Sequence, residues 1–96
     1  MQAQNTLELF FQQINSAGVD RINDITATIE ERYPDIHVML SNLDSTSLLL
    51  EISHNNRHII EYCQHQLDDM ISKMSENHEC SGGYDFAVRT IQEAGH

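Results

Sequence analysis

The chain has 96 residues, with 15 acidic side chains against 5 basic ones, a formal charge of −10 and 40% hydrophobic residues. A chain of this length buries a little over ~60% of its unfolded surface, which supports one modest core and one domain, residues 1–96, rather than two or a disordered segment. The cations Arg21, Arg32, Arg57, Lys73 and Arg89 are scattered, which argues against direct nucleic-acid binding and against an anionic membrane surface, since both depend on clustered positive charge.

The N-terminal Met1-Gln2-Ala3-Gln4-Asn5 has neither a basic region nor a long apolar run, so it does not read as a signal peptide and the default location is cytoplasmic. Thr6 to Ile14 fits two templates. Leu7, Phe10, Phe11 and Ile14 suit a helix capped by Thr6, whereas Leu7, Leu9 and Phe11 suit a strand with Glu8, Phe10 and Gln12 on its other side. A two-stranded hairpin follows later in the chain and needs a third strand to be stable, which favours the strand. Ser16-Ala17-Gly18 then reads as a break.

From Val19 to Tyr33 the apolar residues Val19, Ile22, Ile25, Ile29 and Tyr33 recur at spacings of three and four, one buried face of a helix. Pro34, the sole proline, disfavours the α region at Tyr33 and ends that helix. The period then changes to two. Ile36, Val38 and Leu40 alternate with His37 and Met39, and Leu48, Leu50 and Ile52 alternate with Leu49 and Glu51, across a turn-rich Ser41 to Ser45. This predicts an antiparallel hairpin.

Asn55 to Met74 predicts the longest helix, capped by Ser53 or Asn55. It buries Ile60, Cys63, Leu67, Met70, Ile71 and Met74, and exposes His58, Glu61, His65, Asp68 and Ser72. Beyond Ser81-Gly82-Gly83, Tyr84 to Ala94 reads as a short helix packing Phe86, Ala87 and Ile91. The expected fold is a small two-layer α+β domain of β-α-β-β-α order, with both helices on one face of a three-stranded sheet. Residues 6–79 form its core and residues 80–96 a C-terminal extension, tail or helix. On this register Phe10, Met39 and Leu49 share the uncovered sheet face, which predicts either a homodimer through that face or a tail folded over it.

The candidate chemistry is sparse. His54 and His58 stand four apart, with His65, His78 and Cys80 further on, but no CxxC or HExxH motif completes a ligand set, so neither a metal nor a cofactor is expected. Cys63 falls on an apolar face, where cysteine packs as a small hydrophobe, and Gly82-Gly83 lacks the lysine of a phosphate loop. The chain does not read as an enzyme. Its acidic surface is more informative, with Asp20, Asp24, Glu30 and Glu31 on the first helix and Glu61, Asp68, Asp69, Glu76 and Glu79 in the region of the second. The sign suits a basic protein partner, or one that itself holds DNA.

Leu7-Glu8-Leu9-Phe10-Phe11, the helix end Ile29-Glu30-Glu31-Arg32, the Tyr33-Pro34-Asp35 junction, Val38 and a hairpin entering an acidic helix resemble the DinI-like family over roughly residues 6–79. That resemblance implies a β-α-β-β-α fold and an acidic C-terminal helix that engages the RecA recombinase, which would make this chain a regulator in the DNA-damage response. Asp68, Asp69, Glu76 and Glu79 occupy the corresponding region. The chain departs from the family in carrying His58, His65 and Lys73 in that helix, in lacking the dense acidic-aromatic ending, and in adding Ser81 to His96. Two other readings of the composition are a phage- or plasmid-type DNA mimic that inhibits a nuclease or defence complex, and a small metal-binding protein that uses its histidines.

Overall fold

Asn15 sets the first helix. Its backbone is extended and its side chain accepts a hydrogen bond from the Gly18 N–H at 3.0 Å, satisfying one of the donors that a helix start leaves open. The helix therefore begins at Ser16, and Ser16-Ala17-Gly18 forms its first turn instead of a break. In the computed structural model, which describes residues 3–92 and side chains of residues 4–80, the chain runs β1 (Ala3–Ile14), α1 (Ser16–Arg32), β2 (His37–Asn42), β3 (Leu48–His54), α2 (Arg57–Glu76) and β4 (Cys80–Gln92).

The segment that fitted both templates is a strand. Leu7, Leu9 and Phe11 are fully buried, and Phe10 faces the other way. α1 ends where Pro34 requires, with the Tyr33 N–H closing on the Ile29 carbonyl at 2.9 Å. The Tyr33 and Tyr62 rings meet edge to face at 5.6 Å, and the Arg32 guanidinium lies 4.9 Å from the centre of the Tyr62 ring. This cation–π contact joins the end of α1 to α2. α2 is capped by Asn56, one residue past Asn55 and three past Ser53, the two expected caps; its side chain accepts from the His58 N–H at 3.0 Å.

The two helices cover one face of an antiparallel sheet, as expected, but the sheet has four strands in the order β2-β3-β1-β4. The C-terminal extension is neither a helix nor a loose tail. It pairs with β1 from Ala3↔Gln92 to Gln12↔Gly83, with a register shift before Ile14↔Cys80. Two physical reasons favour the strand. Tyr84, Phe86 and Val88 recur at period two, and bulky aromatic and β-branched residues suit a pleated surface. β1 is also bonded to β3 on one side only, and β4 pairs the backbone groups that its other edge would otherwise leave open. The expected packing of Phe86, Ala87 and Ile91 lies outside the described side chains.

The core sits between the layers. Leu7, Leu9, Phe11, Leu50 and Ile52 from the sheet meet Ile22 and Ile29 from α1 and Ile60, Cys63, Leu67, Met70 and Met74 from α2. Val19 and Ile25 are only partly buried, whereas Thr26 is buried, its hydroxyl donating to the Asn23 carbonyl at 3.0 Å. The order β-α-β-β-α-β with β1 and β3 central is that of the ferredoxin-like fold.

Candidate functional site

The structure offers two surfaces, one on the helices and one on the sheet, with a set of structural polar contacts between them. On the helical layer Asp20, Asp24, Glu30 and Glu31 of α1 and Glu61, Asp68, Asp69 and Glu76 of α2 are all exposed. Two of these are partly compensated by a cation one turn away. Asp69 lies 3.3 Å from Lys73, and Glu61 lies 3.5 Å from Arg57. An open groove of about 250 Å³ runs between the helices, with Asp24 and Asp69 on its walls near Arg21 and Lys73.

Glu79 stands apart from the other acidic residues. It lies past the end of α2 and is buried, with both carboxylate oxygens bound by the Arg21 guanidinium, the longer contact being 2.9 Å. That hydrogen bond holds the Glu79 carboxyl below its ordinary range. The Glu79 carbonyl accepts from the Asn15 N–H at 2.9 Å, and the Asn15 side chain donates to the His78 carbonyl at 3.2 Å. This cluster joins the start of α1 to the turn that enters β4. It serves the fold.

The outer sheet face is built from alternate positions of β1, β2 and β3. The registers set Phe10 beside Leu49 and Ser41, Glu8 beside Glu51 and Met39, and Thr6 beside Ser53 and His37. The Thr6 and Ser53 hydroxyls bond to each other at 3.1 Å. Met39 is 61% exposed, and Phe10 and Leu49 are half-buried. The expected cover by the C-terminal segment does not form, because β4 lies in the plane of the sheet and extends it sideways.

His54 does not share a helix with His58. It closes β3 and is buried, its Nδ1 accepting from the Asn56 N–H at 2.8 Å and its Nε2 facing Asp35 Oδ2 at 2.8 Å. An acceptor at Nδ1 places the proton on Nε2, which donates to Asp35. An Asp–His pair suggests catalysis, but here both ring nitrogens are engaged and neither is left for a substrate. The hydrogen bond from His54 lowers the Asp35 carboxyl. Buried Asn5 donates to the His54 and Asn55 carbonyls at 3.1 and 3.2 Å, fixing the same β3–α2 corner. A polar cleft of about 260 Å³ opens beside it, lined by Gln4, Asp35, His37, His54 and Asn55.

Among the described residues no three histidine, cysteine or acidic side chains converge as metal ligands. Burial pushes the Cys63 thiol up to about 11, so at neutral pH it packs as a hydrophobe. The Cys80 thiol donates to the Gln12 carbonyl at 3.0 Å across the bulge in β1. No described helix is long and apolar enough to cross a membrane. The sequence did not reveal the His54–Asp35 and Arg21–Glu79 pairs, because their members lie 19 and 58 residues apart. The Asx-type caps at Asn15 and Asn56 were the signal available locally.

No protein-family model matches the chain, and no curated protein matches it. Solved structures do. The de novo designed protein Foldit4 superposes at a TM-score of 0.59 with 16% identity, covering 97% of this chain and 99% of that one. A protein from Nitrosomonas europaea assigned as an antibiotic biosynthesis monooxygenase gives 0.61 at 7% identity, with coverage of 98% and 95%. An amidase of the hydantoinase/carbamoylase family from Burkholderia multivorans gives 0.58 at 13% identity, and the match spans 95% of this chain but 28% of the amidase. A designed protein, an oxygenase-like protein and part of a hydrolase share this backbone, so the likeness shows a fold that carries unrelated chemistry.

Proposed function

We propose that this chain is a non-catalytic, cytoplasmic regulatory domain that binds a basic or DNA-binding protein partner through the acidic face of its helices, in the manner of a DinI-like modulator of the RecA recombinase. The observation that carries the reading is the placement of charge. Glu30, Glu31, Asp68 and Glu76 are exposed on the helical layer, with no ion pair among the described residues. A surface of this kind attracts the patch with which a DNA-binding protein meets phosphates. The engaged state of the described histidine–carboxylate pair and the raised Cys63 thiol favour binding over catalysis. Asp68 and Glu76 are the central contact residues, with Asp69 and Glu61 beside them, and Glu79 is left out because Arg21 occupies it.

The test is capture of recombinase and of its DNA filament by the immobilised chain at low and high salt. Charge-driven capture is expected at low salt and should fall as ions screen it. Asp68→Asn with Glu76→Gln should weaken capture without lowering the melting temperature. No capture at low salt would sink the recombinase reading.

A further inference from the structure

We propose that the outer face of the sheet is a self-association surface, on which a second copy of this chain packs face to face. This goes beyond partner binding by the helices and uses the opposite side of the molecule. Two observations select a second copy as the occupant.

The first is charge. The exposed carboxylates of Asp20, Asp24, Glu30, Glu31, Asp68, Asp69 and Glu76 all belong to the helices, on the far side of the sheet. Two such chains meeting by their sheets keep most of their like charge about 10 Å or more from the interface, which is a Debye length at ~0.1 M salt. Glu8 and Glu51 are the described acidic side chains on the approaching face, beside Phe10, Leu49 and Met39. A basic partner has the stronger attraction on the helical side, which leaves this face to a partner chosen by apolar burial.

The second is area. The strands contain 12, 6, 7 and 13 residues, which at roughly 3.4 Å per residue and 4.8 Å between strands make a flat face of about 600 Å². Side-chain relief brings this close to the ~800 Å² per partner that a standard interface buries. Two copies of this face pack as aligned sheets about 10 Å apart, with Phe10 and Leu49 of each against the other's strands.

Sedimentation of the 96-residue chain over a concentration series, at low and high salt, tests the proposal. The expected result is a monomer–dimer equilibrium that tightens as salt rises, because screening removes the repulsion between two like-charged chains. Met39→Glu, at an exposed position that leaves the core intact, should raise the dissociation constant about tenfold or more. Leu49→Glu should abolish the dimer, and Leu43→Ser, in the exposed β2–β3 loop, should leave it unchanged. Circular dichroism melts establish that each variant is folded. A chain that stays monomeric at every concentration and salt overturns the proposal, as does a dimer equally stable in Met39→Glu. Failure here is separable from failure of the recombinase reading, since capture by the helical face weakens with salt and is indifferent to Met39→Glu.

Discussion

Glu79 and Gly18 meet at one corner of the molecule, and each makes a prediction. Above the ordinary glutamate value of 4.5 the Glu79 carboxylate is charged in the folded and unfolded chain alike, and its bond to Arg21 contributes fully to stability. As pH falls through the lowered folded value the carboxylate takes up a proton and that contribution is lost. Glu79→Gln should therefore melt below the parent at pH 7, and the two melting curves should converge as pH drops well under 4.5. A constant gap down to strong acid would mean that the ion pair is not its source. Gly18→Ala would ordinarily strengthen a helix by ~0.5–1 kcal/mol. Here the new methyl would stand 2.6 Å from Ile14 Cγ1 and 2.8 Å from the Glu79 carbonyl oxygen. The isoleucine end can move, but the oxygen is held by the Asn15 N–H. The variant is expected to melt lower than the parent, and thermal denaturation reads the sign directly.

At the scale of the element, α2 ties the sheet to α1. Leu67 lies on its buried face and is fully enclosed, whereas His65 is exposed on the other side. Leu67→Ala should cost about 2–5 kcal/mol, and His65→Ala about 0.5 kcal/mol or less, in denaturant titrations. Equal losses would place the helix in a different register. The helices and the β2–β3 hairpin were legible in the sequence because their apolar residues keep one period from end to end, and because Pro34 marks where the period changes. β4 was not legible. Its glycines at 82 and 83 resemble a break, and its alternation is short. What makes it a strand is the open edge of β1, supplied by residues some 80 positions earlier. The His54 contacts were hidden for a related reason, since a histidine four residues from another suggests a shared helix until the cap at Asn56 shows that only His58 is helical. The uncovered Phe10, Met39 and Leu49 face could be read, because strict alternation fixes which side each residue takes.

The molecule is a thin plate, 46 × 25 × 17 Å, with Phe10, Leu49 and Met39 beside Glu8 and Glu51 on its sheet side and most of its described exposed carboxylates on the helical side. A charge of −10 on a body this small works against compactness. The exposed ion pairs, Lys73 with Asp69 and Arg57 with Glu61, are each worth under ~1 kcal/mol. Self-repulsion should outweigh them, so the melting temperature is expected to rise as sodium chloride is added. A fall would mean that the ion pairs dominate.

Of the four described strands, β1 is made first and stays incompletely paired until β4 is in place. Its partners start at Leu48 on one side and Cys80 on the other, so one edge stays open until β3 has been made and the other until β4 follows α2. Pairing across such sequence separations makes folding slow, and it gives other chains time to add to an unsatisfied strand containing Leu7, Leu9, Phe10 and Phe11. In the cell this places the protein's vulnerability in its biogenesis more than in its finished state. A nascent chain halted before residue 80 should be held by chaperones that shield extended apolar segments, and it should be released once the last strand has closed the sheet.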